Sequence, residues 1–151
     1  MAAMTTSLTE MEILAIERAC ERLVLDWVDL NDRQDYESLA ALFAADGTMI
    51  RPNGDPLAGR AAILKSYQSR PAGRITRHIC TNIRITVESR DRARGLSYAV
   101  VCSANAGEPA EGHFGIKAEP RQLIGEFEDE FVRTLEGWRF STRRARFVMH
   151  T

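Results

Sequence analysis

The run from Arg74 to Ser89, RITRHICTNIRITVES, constrains the fold more than any other stretch of the chain. It is dense in β-branched residues, and isoleucines, threonines and Val87 alternate with polar partners through most of it. A period of two belongs to a strand with one face on a core. Gly73 bounds the run in front, and the charged turn Arg90-Asp91-Arg92 bounds it behind. His78 lies in its middle and shares a face with Cys80 and Asn82 unless a bulge intervenes.

Upstream the chain reads as helices. Ser7 to Glu10 fits a capping box with Ser7 at the N-cap. Ile13, Ile16, Cys20, Leu23, Trp27 and Leu30 recur at steps of three and four, widened by Val24. That spacing predicts a long amphipathic helix to about Leu30. Asp26, Asp29 and Asp32 crowd its end, where the helix dipole is negative and each carboxylate is disfavoured by roughly 0.3 kcal/mol or more. A local rule broken in this way marks a candidate functional site. Asp35 then N-caps a second helix, Tyr36 to Ala45, with Leu39, Leu42 and Phe43 inward. Asp46-Gly47 ends it, and Thr48 to Arg51 reads as a short strand. Pro52-Asn53-Gly54-Asp55-Pro56 is a turn cluster. Gly59 to Arg70 makes a third helix, with Ile63, Leu64 and Tyr67 as its apolar face.

Downstream the chain reads as strands. Ala93 to Ser103 is one, through Leu96, Tyr98, Val100 and Val101. Ala104 to Pro120 is a polar segment with Gly and Pro, and a loop of that length in a compact domain is usually functional or mobile. Arg121 to Leu135 and Gly137 to Val148 form a hairpin, with Phe127, Phe131, Trp138, Phe140 and Phe147 as bulk. Helices first and mostly antiparallel strands after them argue for α+β, the helices packed on one face of a bent sheet. The 151 residues are the size of one domain and show no repeat or linker, so residues 1–151 are expected to form a single domain.

A net charge of −1 supplies no global field to recruit nucleic acid or an anionic membrane. No stretch is long and apolar enough to span a bilayer. The first twenty residues lack the basic start and continuous apolar run of a signal peptide. Cys20, Cys80 and Cys102 are far apart, with no CxxC pair, and are expected to fill core space in a reducing compartment. A cytoplasmic location follows as the expectation.

His78 is the first candidate for chemistry. A carboxylate against one ring nitrogen would fix the tautomer and stabilise the imidazolium formed when the other nitrogen takes a proton. Asp32 is the first choice for that carboxylate, and Asp29, about one helical turn earlier, is the fallback. Asp26 is expected to face solvent. Arg139, Arg143, Arg144 and Arg146 share a strand whose alternation splits them between faces, leaving most as surface charges. A buried arginine among them would need an anionic partner or ligand. Asp129 and Glu128 are available partners for Arg143. His113 and His150 read as solvated. No His/Cys/Asp/Glu cluster has metal-ligand spacing, and the chain lacks GxSxG, P-loop and GxGxxG motifs. Proton transfer without a metal or cofactor is the main enzymatic option left.

Several segments together resemble the SnoaL-like branch of the nuclear transport factor 2-like superfamily. They are Asn31-Asp32-Arg33-Gln34-Asp35-Tyr36 followed by LAALFAADGTMI, the helix start Gly59-Arg60-Ala61-Ala62-Ile63, Thr76-Arg77-His78 with TNIRI after Cys80, and Asp129-Glu130-Phe131-Val132-Arg133 followed by Glu136-Gly137-Trp138-Arg139-Phe140. The resemblance implies a curved antiparallel sheet forming a cone, plugged by three helices around an internal apolar pocket. It is similar to scytalone dehydratases, bile acid 7α-dehydratases and hexachlorocyclohexane dehydrochlorinases, whose aspartate–histidine dyad falls on Asp32 and His78. The dehydrochlorinase arginine falls on Arg143. Other matches are lost: the pocket tyrosine is Asn31 here, the second histidine has no counterpart, and the helix lysine falls at about Trp27. The resemblance therefore implies a cofactor-free lyase or isomerase for a small apolar cyclic substrate. His78, Asp32 and Arg143 would be catalytic, and Asn31, Trp27, Tyr36, Tyr67 and Asn82 would line the pocket. It also implies a homodimer or homotrimer through the outer sheet face. The alternative is a non-catalytic module that binds a hydrophobic ligand, or a structural subunit resembling the β subunit of ring-hydroxylating dioxygenases.

Overall fold

The computed structural model describes residues 7–151. Residues 1–6, on which the expectations of no signal peptide and of one domain over 1–151 partly rest, lie outside the described residues. Three helices, α1 (Glu10–Asp32), α2 (Tyr36–Ala41) and α3 (Arg60–Gln68), precede most of a six-stranded sheet. The strands are β1 (Phe43–Ile50), β2 (Pro56–Ala58), β3 (Arg74–Val87), β4 (Arg92–Asn105), β5 (Leu123–Thr134) and β6 (Gly137–His150). Their order is β2-β1-β6-β5-β4-β3. Every pairing is antiparallel except β1 with β6, which is parallel. The fold is α+β, a mostly antiparallel open sheet wrapped as a cone around the helices.

α1 buries the predicted stripe of Ile16, Cys20, Leu23, Val24 and Trp27, and adds Val28 and Asn31. Its cap falls two residues later than expected. Thr9, not Ser7, accepts the Glu12 backbone N–H, while the Glu12 carboxylate accepts the Thr9 N–H. Both registers fit the capping pattern, and the Thr9 register starts the helix where its apolar stripe begins.

α2 is shorter than expected, ending at Ala41 rather than Ala45. LAALFAA has good helix formers, yet Phe43 enters the sheet beside Phe140 of β6. The Phe140 N–H donates to the Leu42 carbonyl at 3.0 Å. The rings of Phe43, Phe140 and Phe131 follow one another at 5.2 Å centroid spacing and are almost wholly buried. Truncating any of them should cost about 3–5 kcal/mol. Packing of that size overrides helix propensities of a few tenths of a kcal/mol, roughly, per residue. Gly47 lies in the bulge that follows, where a side-chain carbon would sit 2.9 Å from the Phe140 carbonyl oxygen.

The expected turn cluster closes into a small extra strand, β2, paired with the end of β1. The loop after β4 starts two residues later than expected and holds one turn of 3-10 helix, Gly112–Phe114. No described helix is long and apolar enough to cross a membrane.

Candidate active site

α1 packs chiefly on β3, and this crossing builds the site. Asp32, the last residue of α1, is met by three donors from β3. The His78 ring Nδ1 lies 2.6 Å from Oδ1, the His78 backbone N–H donates to Oδ2 at 2.8 Å, and the Thr76 hydroxyl donates to Oδ1 at 2.8 Å. Three donors offset the unfavourable end of the helix dipole. The two side chains are only 11% (Asp32) and 9% (His78) exposed. Burial alone would raise the Asp32 pKa. The hydrogen bonds and charge of His78, with the Thr76 hydroxyl, outweigh it and hold the carboxyl below the ordinary aspartate range.

An ionised carboxylate only accepts hydrogen bonds, so Nδ1 carries a proton, and in the neutral ring Nε2 then holds the lone pair. Nε2 lies 3.5 Å from the Asn31 amide nitrogen. Asn31 is oriented by Arg70, which donates to its carbonyl at 3.1 Å, so the amide NH2 is the end that faces the imidazole. The Trp27 ring stands edge-on to His78 at 5.9 Å.

Gln34 secures the α1–α2 turn. Its backbone is left-handed, with φ 60°, and its side-chain amide donates to the carbonyls of Ala72 and Arg74 just before and at the start of β3. Thr76 and Gln34 were not singled out from sequence. Thr76 carried a usable signal, since it lies two residues before His78 and so on the same strand face. Gln34 had none.

A cavity of about 290 Å³ opens beside the imidazole. Its buried lining includes Trp27, Met49, Tyr67, Ala99 and Phe127, with Asn31 and His78 beside them. Asp32 is not on this lining and stands behind the ring. Burial pushes the Tyr67 hydroxyl pKa up, so it stays a neutral donor.

Three expected site residues fall elsewhere. A bulge between Thr81 and Arg84 puts Asn82 at φ 52°, exposed and off the cavity face that His78 and Cys80 share. Asparagine adopts that backbone more readily than most residues. Tyr36 packs on Tyr67 with ring centroids 5.6 Å apart and is not on the lining. Arg143 is also off the lining. It is wholly buried and forks onto Asp129, its cross-strand partner, with hydrogen bonds of 2.8 and 2.9 Å. Its guanidinium carbon lies 4.0–4.7 Å from the ring centroids of Phe127, Phe140 and Trp27, aromatic faces that suit a cation.

Asp29 and Asp26 are both exposed, and Asp29 pairs with Arg33. Burial pushes the Cys20 thiol up to about 12 and Cys80 above its ordinary value, so neither supplies a thiolate near neutrality. Among the described residues, no three of His, Cys, Asp and Glu come together as a metal site would need.

A cone-shaped α+β fold with a part-buried carboxylate–imidazole pair at the helix–strand crossing defines the class. The SnoaL-like domain matches residues 12–144, and the chain belongs to that family. Solved structures agree with it in fold. A protein of Novosphingobium aromaticivorans DSM 12444, provisionally named a scytalone dehydratase, is 26% identical. It superposes with a TM-score of 0.80 over 95% of this chain and 91% of its own. A hexachlorocyclohexane dehydrochlorinase of Novosphingobium barchaimii LL02 is 18% identical with a TM-score of 0.78, over 95% and 93%. ActVI-ORFA of Streptomyces coelicolor is 18% identical with a TM-score of 0.71, over 89% and 98%. No curated protein matches the chain at a significant level.

Proposed function

We propose that this single domain is a cofactor-free lyase or isomerase acting on a small cyclic substrate. One observation carries the reading: Asp32 holds Nδ1 of His78 at 2.6 Å while the same imidazole lines the cavity. Nε2 takes a proton from a substrate carbon, and Asp32 stabilises the imidazolium that results. In elimination the carbanionic electrons form a double bond and expel hydroxide or halide, and the imidazolium proton passes to the departing hydroxide or to solvent. In isomerisation they move into an adjacent double bond, and the imidazolium returns its proton to another ring carbon. Asn31 and Tyr67 are the neutral donors placed to steady that charge. Arg143 acts from behind the Trp27–Phe127 wall as a fixed cation with its fork committed to Asp129. The dehydratase and dehydrochlorinase names among the structural neighbours support the reaction class.

The test is a panel of hydroxylated and halogenated cyclic compounds, followed by mass spectrometry for loss of water or halide or for isomer formation. His78→Ala and Asp32→Asn should each lower turnover by about 10²–10⁴-fold with folding intact. Turnover at wild-type rate in both variants would remove His78 as the base.

The second reading, a binding module or a structural subunit, draws on Asn31, whose amide stands against the nitrogen that the reaction needs free. Ligand binding with no turnover across the panel would favour it. A homodimer or homotrimer through the outer sheet face belongs to the same proposal, supported by the exposed Ile79, Leu96 and Tyr98.

A further inference from the structure

The cavity has two unlike ends. Its floor is buried and aromatic, from Trp27, Tyr67 and Phe127. Its other lining residues include four arginines, Arg51, Arg70, Arg74 and Arg146, against one carboxylate, Glu126. Arg70, Arg74 and Arg146 are exposed and Arg51 partly so, which puts the cationic side at the mouth. In a chain of net charge −1, this is a local concentration of positive charge.

Two of the four are neutralised. Arg51 pairs with Asp55 at 2.9 Å, and Arg146 pairs with Glu126. Among the described residues, Arg70 and Arg74 have no carboxylate within ion-pair distance. Arg70 is nevertheless positioned. Its guanidinium lies 4.2 Å over the Tyr67 ring and donates to Asn31, leaving its remaining N–H groups for another acceptor. Arg74 follows the Pro71 turn, and its backbone is tied twice, by its N–H to the Pro71 carbonyl and by its carbonyl to Gln34.

We infer that the ligand of this site is a ring compound bearing a carboxylate. Its apolar ring lies on the aromatic floor beside His78, and its carboxylate is held at the mouth by Arg70 and Arg74. The guanidinium fork matches a planar carboxylate in geometry as well as charge. A volume of about 290 Å³ is at the lower end for ligand pockets, suited to a molecule of one or two rings. This inference rests on the proposed reading only in taking the cavity beside His78 as the substrate site, and it refines the apolar cyclic substrate into an amphipathic acid.

The experiment is calorimetric titration of the whole chain with 2-naphthoate and with 2-naphthamide, its neutral near-isostere, at neutral pH and low salt. Naphthoate should bind about tenfold more tightly, the size expected for a hydrogen bond to a charged group. The preference should shrink as salt is raised. Arg74→Gln, an exposed change, should cut the preference several-fold, and Arg70→Gln with Arg74→Gln should erase it, read as the ratio of the two affinities so that any loss common to both probes cancels. Equal affinity for the two probes, binding of neither, or a preference that survives the double variant would overturn the inference. Binding is read without turnover, so an acid preference with no product in any assay would count against the lyase reading alone.

Discussion

Asp32 ends a helix, the place where a carboxylate is least favoured, and the strand beside it supplies three donors to hold it ionised. That arrangement has a measurable consequence at acid pH. The folded-state pKa lies below the unfolded one, so the unfolded chain binds the extra proton first as pH falls. The contribution of the carboxylate is therefore complete above the ordinary aspartate range, about 3.9, and is lost as pH falls through the lower folded value. The stability difference between wild type and Asp32→Asn should be largest near neutrality and shrink below about pH 4. Urea melts across that range would test it, and a difference that stays flat would mean the carboxyl is not held down. Thr76→Val removes one of the donors, so it should shift the acid loss to higher pH.

At the scale of elements, the pairing of β5 with β6 decides what Arg143 can do. Register sets it opposite Asp129, and burial pushes the Asp129 carboxyl up while Arg143 opposes that shift. Arg143→Met would leave a buried carboxylate with no counter-charge and should cost about 3–5 kcal/mol. Adding Asp129→Leu should recover much of that loss. Strictly additive costs in the double-mutant cycle would contradict the pairing. Gly125 of β5, opposite a bulge in β6, works differently. A side-chain carbon there would come 2.5 Å from the Arg146 carbonyl oxygen, so two backbones that line the cavity approach closely because this residue has no side chain.

For the whole molecule, the outer face of the sheet is the feature that has no partner among the described residues. Ile79 is 60% exposed and Tyr98 44%, both on strands whose opposite face packs inward. The proposed homo-oligomer would cover them. Sedimentation should give a dimer or trimer at micromolar concentration, and Ile79→Lys with Tyr98→Lys should shift it toward monomer. A wild-type monomer at those concentrations would count against that interface.

Much of this was legible in the chain because it is local. The period-two run around His78, the stripe of α1 and the hairpin of β5 and β6 follow from side-chain alternation alone. The crowding of Asp26, Asp29 and Asp32 at a helix end is local too, and marks all three without choosing among them. Other features depend on neighbours far along the chain. Phe43 left a helix-forming segment because Phe140 offered a better-packed place in the sheet. Asn82 turned away from the cavity because a bulge interrupted the alternation, and Arg143 found Asp129 through strand register. The arginine rim gathers residues from the end of β1, the α3–β3 turn, the start of β3 and β6, so no spacing rule could show it. Local chemistry determined most of the elements and nominated the residues of the candidate dyad. Long-range pairing decided which side chains face the cavity, because one bulge or one step of register turns a strand residue to the opposite face.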